Sequence, residues 1–123
     1  MGPGPLVLAC SGIAGDRILN AAGEELGTLE HVMLDVSSGR IAYGVLARGG
    51  VLGLGAKLFA VPWHALRRDA ERECFVLDLA LDRLRHAPRF DREHWPQMTD
   101  PAFARSVEEF YRGARTEGHP ALQ

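Results

Sequence analysis

Arg40-Ile41-Ala42-Tyr43-Gly44-Val45-Leu46-Ala47, set between Ser37-Ser38-Gly39 and Gly49-Gly50, is the stretch that decides the fold class. Ile41, Tyr43, Val45 and Ala47 fall on one side of an extended chain, and Arg40, Ala42, Gly44 and Leu46 fall on the other. That period of two belongs to a strand and not to a helix. Glycine on both flanks supplies the backbone freedom that tight turns need.

Working back toward the N-terminus, Leu26 to Val36 is a second extended run. Val36-Ser37-Ser38-Gly39 closes it into a hairpin with Arg40 to Ala47. Before it, Asn20-Ala21-Ala22-Gly23 carries turn chemistry, and Asp16 to Asn20 reads as a short strand. Working forward, Lys57 to Val61 is extended until Pro62, which lacks a ladder donor and ends the strand. A turn or short helix is expected at Trp63 to Arg67. Glu73 to Leu79 alternates again, with Phe75, Leu77 and Leu79 on one side. The sum is five or six strands by residue 80, a mainly β domain.

Beyond residue 80 the pattern changes. Asp82 to His86 reads as a brief helical turn stopped by Pro88, and an irregular stretch runs on to Met98. Asp100-Pro101 is a helix start, with Asp as N-cap and Pro at the first helical position, where its missing N–H costs nothing. Phe103, Val107, Phe110 and Tyr111 then form one apolar stripe, and Glu108 and Arg112 are spaced as an i,i+4 pair. This predicts a helix over about residues 100–113 that must dock, because a dozen residues are marginal alone in water.

Composition agrees with one compact domain: the chain has 123 residues, 46% apolar and 24% charged. Those averages hide two unlike parts. Of the 14 glycines, 12 precede residue 63, whereas residues 63–123 hold ten of the 14 basic and eleven of the 16 acidic side chains. A formal charge of −2 argues against nucleic acid as a partner. The longest early apolar run, Leu6 to Cys10, is far below the ~20 residues of a membrane helix. No membrane span and a cytoplasmic location follow as expectations. Residues 1–10 read as a flexible leader, 11–80 as the β domain, 81–115 as its extension and 116–123 as a flexible tail.

No motif points to catalysis. Gly50-Val51-Leu52-Gly53-Leu54-Gly55-Ala56-Lys57 resembles a phosphate loop only in composition: Ala56 separates the last glycine from Lys57, and Leu58 stands where Ser or Thr is required. A glycine-rich connection is the simpler reading, with a small-ligand or ion sensor using residues 49–55 as an alternative. His31, His64, His86, His94 and His119 show no HxH or HxxxH spacing, so no metal and no cofactor are expected. No serine or cysteine sits in a nucleophile signature. Cys10 and Cys74 are expected to be reduced. Trp63, Trp95, Phe90, Phe103, Phe110 and Tyr111 crowd into the charge-rich second half. Packing accounts for most of them, and Phe90, Trp95 and Tyr111 are the candidate partner-binding residues.

A longer set of ordered motifs carries a family likeness. Gly15-Asp16-Arg17-Ile18-Leu19-Asn20, Gly23-Glu24-Glu25-Leu26-Gly27, Asp35 with Gly39-Arg40-Ile41-Ala42-Tyr43, Gly49-Gly50-Val51-Leu52-Gly53-Leu54-Gly55 and Phe59-Ala60-Val61-Pro62-Trp63 together resemble a PRC-barrel domain over about residues 11–80. Ala87-Pro88-Arg89-Phe90-Asp91 and Trp95 to Asp100 are similar to the extension of stand-alone bacterial members. The resemblance implies a small β-barrel, of the kind shared by the cytoplasmic part of the photosynthetic reaction centre H subunit and the C-terminal domain of a ribosome maturation factor. It makes Gly15, Gly23, Gly27, Asp35, Gly39, Gly50, Gly53, Gly55, Pro62 and Trp63 structural motif residues. Residues 1–14 are too few for the membrane helix of the first relative or the second barrel of the other. The mode of action is what the likeness implies: a non-enzymatic protein-interaction or assembly module, with a ribosome-maturation-type adaptor as a further alternative. An open seam in so small a barrel would expose strand edges, and a homodimer is the expected cover.

Overall fold

The computed structural model describes residues 7–50, 55–96 and 100–112. A short helix α1 (Cys10–Ile13) leads into strands β1 (Arg17–Leu19), β2 (Glu25–Asp35), β3 (Arg40–Arg48) and β4 (Lys57–Pro62). A 3-10 turn at Trp63–Ala65 connects to β5 (Leu66–Asp69) and β6 (Cys74–Leu77). Helix α2 (Leu81–Leu84), strand β7 (Arg89–Phe90) and helix α3 (Pro101–Tyr111) are the remaining elements among the described residues. Gly53 and the expected tail 116–123 lie outside the described residues, as does most of the expected leader.

The strands form one sheet in the order β5-β6-β1-β2-β3-β4-β7, antiparallel throughout except for the parallel pair of β1 with β6. β4 and β5 stand at nearly opposite ends of that order, yet only three residues separate them in sequence. The sheet must therefore coil on itself. A Cβ placed on Gly44 of β3 would lie 3.3 Å from Leu66 Cδ1 of β5 and 3.7 Å from Trp63, so the first strand of the order faces the fifth across the core. The coil nevertheless stops short of a closed barrel: among the described residues no ladder joins β5 to β4 or β7. The expectation of a barrel of five or six strands is thus corrected to an open, coiled sheet of seven.

The extra strands explain the difference. β5 lies where a turn or short helix was expected as far as Arg67, and the helical geometry ends at Ala65. Its one apolar residue, Leu66, is buried, and Arg68 reaches back to Asp16 at 2.7 Å. β7 lies in the stretch expected to be irregular and consists of two residues paired with Leu58 and Phe59.

Turn chemistry sets the hairpins. At the β2–β3 turn, Asp35 Oδ1 accepts from the Ser37 N–H at 3.0 Å and the Ser37 hydroxyl at 2.7 Å, and Gly39 adopts φ of 76°. These bonds from Ser37, followed by those of Ser38, hold the Asp35 carboxyl below its usual range. At the β1–β2 turn the buried Asn20 accepts from the N–H of Ala22 and Glu24, while its amide donates to the Leu79 carbonyl at 3.2 Å. One polar side chain thereby ties the first hairpin to the chain leaving β6.

The core is continuous from Ile13 to Tyr111. Expected alternation holds for the outer half of β3, but Gly44 to Ala47 are buried on both sides, as are Leu58 to Pro62 of β4. α3 and β7 pack on β4 and cover what would otherwise be its solvent side. Asp100 caps α3 by accepting from the Ala102 N–H at 3.0 Å, with Pro101 at the first position. Val107 and Tyr111 are its buried stripe. Burying each is worth about 1.5–3 kcal/mol, enough to hold a helix this short. Glu108 pairs with His64 at 2.9 Å and so bolts α3 to the 3-10 turn. This replaces the expected pairing with Arg112.

Candidate functional site

Two bulges distort the β2–β3 ladder. Glu30 is the extra residue on β2, and Ala42 is the extra residue on β3, where the register shifts between Met33 and Leu34. A bulge bends its strand and re-aims the side chains beside it. At the second bulge the tip of the hairpin turns apolar side chains outward: Leu34 is 57% exposed and Val36 84% exposed.

α3 runs alongside this tip, and a groove of about 550 Å³ separates them. Met33, Leu34 and Val36 form one wall, Tyr43 and Pro62 the floor, and Phe103 and Val107 of α3 the other wall. Asp35 and Glu108 stand on the rim, and among the described residues no basic side chain lines the groove. The Tyr43 hydroxyl is buried with no hydrogen-bond partner among the described residues, and burial pushes its pKa up to about 12. The phenol is therefore neutral across the physiological range. A concave, mainly apolar site with a few placed polar groups is what a docking surface requires.

The residues expected to bind a partner lie elsewhere. Tyr111 is fully buried and Phe90 is 8% exposed, so both are core residues of the isolated chain. Trp95 is the one at the surface, at 37% exposure, and it rests on Phe90 at 4.8 Å and His31 at 5.6 Å between ring centres. Arg92 beside it makes a two-point ion pair with Glu30, and this contact holds the Glu30 carboxyl below its usual range. Residues 89–95 are thereby strapped across the middle of β2.

Motif residues occupy turning points. Gly15, Gly23, Gly39, Gly50 and Gly55 have positive φ, Gly27 lies within β2, Pro62 ends β4 and Trp63 opens the 3-10 turn against Phe75. Leu34 and Val36 escaped the sequence reading, although one signal was present: two apolar residues flank Asp35 at the mouth of a polar turn, where geometry leaves them no core to enter. Among the described residues no three His, Cys, Asp or Glu side chains come together as a metal site. Cys10 is exposed and Cys74 buried, and both are free.

The coiled sheet, its turn glycines and the Pro62-Trp63 corner coincide with a known domain: the sequence model of the PRC-barrel domain matches residues 7–82. The chain belongs to the PRC-barrel family. The matched span ends as α2 begins, so α3 and the wall it gives to the groove are additions to the PRC-barrel domain. No curated protein matches the chain. Among the described residues of this PRC-barrel protein, no helix is long and apolar enough to cross a membrane.

Proposed function

We propose that the chain is a non-enzymatic protein-interaction module that docks an apolar, basic-flanked segment of a partner into the groove between the β2–β3 hairpin tip and α3. One observation carries this reading: the most exposed apolar residues of the hairpin border a groove whose only charged lining groups, among the described residues, are the carboxylates of Asp35 and Glu108. An apolar segment would bury Leu34 and Val36, and a flanking Lys or Arg would meet the acidic rim. PRC-barrel membership supports it as a scaffold and leaves the partner open.

The test places a photo-crosslinking amino acid at Val36 in the native host and maps the adducts. Adducts at an apolar segment bearing Lys or Arg, lost with Leu34→Glu, support the proposal. Adducts no more abundant than from exposed Arg17, on the far side of β2, would refute it.

A second reading rests on the open sheet. β5 and β7 each leave one edge unpaired among the described residues, and a homodimer joining such edges would satisfy them. Light scattering decides it, since a monomer at high micromolar concentration rules this dimer out.

A further inference from the structure

At the opposite end of β3 and β4 lies a second depression, of about 620 Å³, in which four cationic side chains meet: Arg48, Lys57, Arg85 and Arg89. They come from four separate parts of the chain, namely the end of β3, the start of β4, the residue after α2 and β7. Two carboxylates, Glu24 and Asp82, also line it. Glu24 is engaged by the Asn20 amide at 2.8 Å. Among the described residues Lys57, Arg85 and Arg89 make no ion pair within the chain.

The arrangement works against the fold that holds it. Arg48 and Lys57 are directly opposite each other in the β3–β4 ladder. Arg89 is opposite Phe59, two residues beyond Lys57 and therefore on the same side of the sheet. Like charges opposite one another in a sheet are destabilising. Arg48 is moreover held in place, its guanidinium donating to the carbonyls of Glu25 at 3.0 Å and Leu26 at 2.9 Å. Three converging cations on one side of three adjacent strands, none of them ion-paired among the described residues and outnumbering the two carboxylates of the lining once Arg85 is included, mark a local conflict of the kind that accompanies binding sites.

We infer that this depression binds a small anion bearing a di- or triphosphate group. Its volume is that of a small-molecule site. Guanidinium groups match phosphate oxygens in two-point contacts, and an ammonium adds a point charge. Binding would neutralise the opposed charges that folding brings together.

Thermal melts of the full chain test the inference, with pyrophosphate and ATP as probes, sodium chloride at matched ionic strength as control, and a single-stranded RNA oligonucleotide as a separate arm. At ten times its Kd, pyrophosphate stabilises the folded state about 11-fold, a rise of several degrees in Tm. The double variant Lys57→Ala/Arg89→Ala should abolish that rise while melting at or above the wild-type temperature without ligand, because a repulsion has gone. Arg105→Ala, an exposed cation on α3, should leave the rise intact. Equal shifts with chloride, a full response in the double variant, or a response to RNA alone would each overturn the inference.

Discussion

Replacing Gly27 with Ala should damage this fold more than the same methyl added at Gly12, Gly15, Gly23, Gly39, Gly44, Gly49 or Gly55. Gly27 lies in β2 opposite Ile18, next to the bulge that shifts the β1–β2 register. A Cβ there would overlap the carbonyl oxygen of Ala47 and come within 2.7 Å of Leu46 Cδ2. The leucine can rotate; the carbonyl cannot, because Ala47 is held in the ladder opposite Thr28. Overpacking costs about 1–3 kcal/mol, and a backbone clash belongs at the top of that range, ~3 kcal/mol. For a domain of this size that is a fall in Tm of roughly 10 °C. Gly39→Ala is the matched control. Its φ of 76° disfavours alanine, but nothing lies within 4 Å of the added carbon. The conformational penalty of about 1–2 kcal/mol is partly offset by the stiffer unfolded chain, leaving ~1 kcal/mol. Urea unfolding followed by circular dichroism measures both, with unchanged m-values expected. A Gly27→Ala protein within ~0.5 kcal/mol of wild type, or one more stable than Gly39→Ala, would refute the packing argument.

Other consequences are as specific. The Tyr111 hydroxyl is buried without a partner among the described residues, so Tyr111→Phe should hold or raise stability by up to ~1 kcal/mol, whereas Tyr111→Ala should lose ~3–5 kcal/mol in chemical denaturation. Asp100→Ala removes the cap of α3 and should cost ~1 kcal/mol, with hydrogen exchange accelerating first in residues 102–104. The Glu30 carboxyl is held low by Arg92. Its contribution is therefore complete above the ordinary glutamate value of ~4.3 and disappears as pH falls through the lowered one. The stability gap between wild type and Arg92→Ala should be small and constant from pH 8 to about pH 5, then close on further acidification. A gap that widened in acid would contradict the ion pair.

The parts legible in the sequence were those governed by neighbours along the chain. The alternation of Arg40 to Ala47, the Asp35-to-Gly39 turn and the Asp100-Pro101 helix start each depend on a few adjacent residues, and each appears where its residues stand. The illegible parts depend on distant ones. Leu66-Arg67-Arg68-Asp69 has a single apolar residue and no strand pattern; it becomes β5 because β6 returns beside it and because Arg68 finds Asp16 and the face of Phe75, 4.9 Å away. Arg89-Phe90 is too short to be read as a strand and is recruited by β4. The orientation of the aromatics was hidden for the same reason. Composition shows that Phe90, Trp95 and Tyr111 exist in a charged segment, and only the position of α3 against β4 determines that Tyr111 points inward. The parallel pairing of β1 with β6, which forces the coil, spans more than fifty residues and leaves no local trace.

The groove and the cationic depression share β3 and β4 but sit at their two ends. Tyr43 and Pro62 belong to the first, and Arg48 and Lys57 to the second. Five residues of strand separate Tyr43 from Arg48, roughly 17 Å, beyond the ~7–10 Å within which substitutions usually interact. Coupling between the sites would thus require the strands to move as a unit. The β3–β4 ladder here is continuous, and Gly44 to Ala47 are buried on both sides, so a shift of β3 would disrupt packing at both faces. Independence is the physical expectation: Val36→Glu should leave the pyrophosphate response unchanged, and Lys57→Ala/Arg89→Ala should leave cross-linking at Val36 unchanged. If either variant altered the other site, the bulge at Glu30 would be the place to look, since it breaks the β2–β3 register opposite Val45 and Leu46, between them.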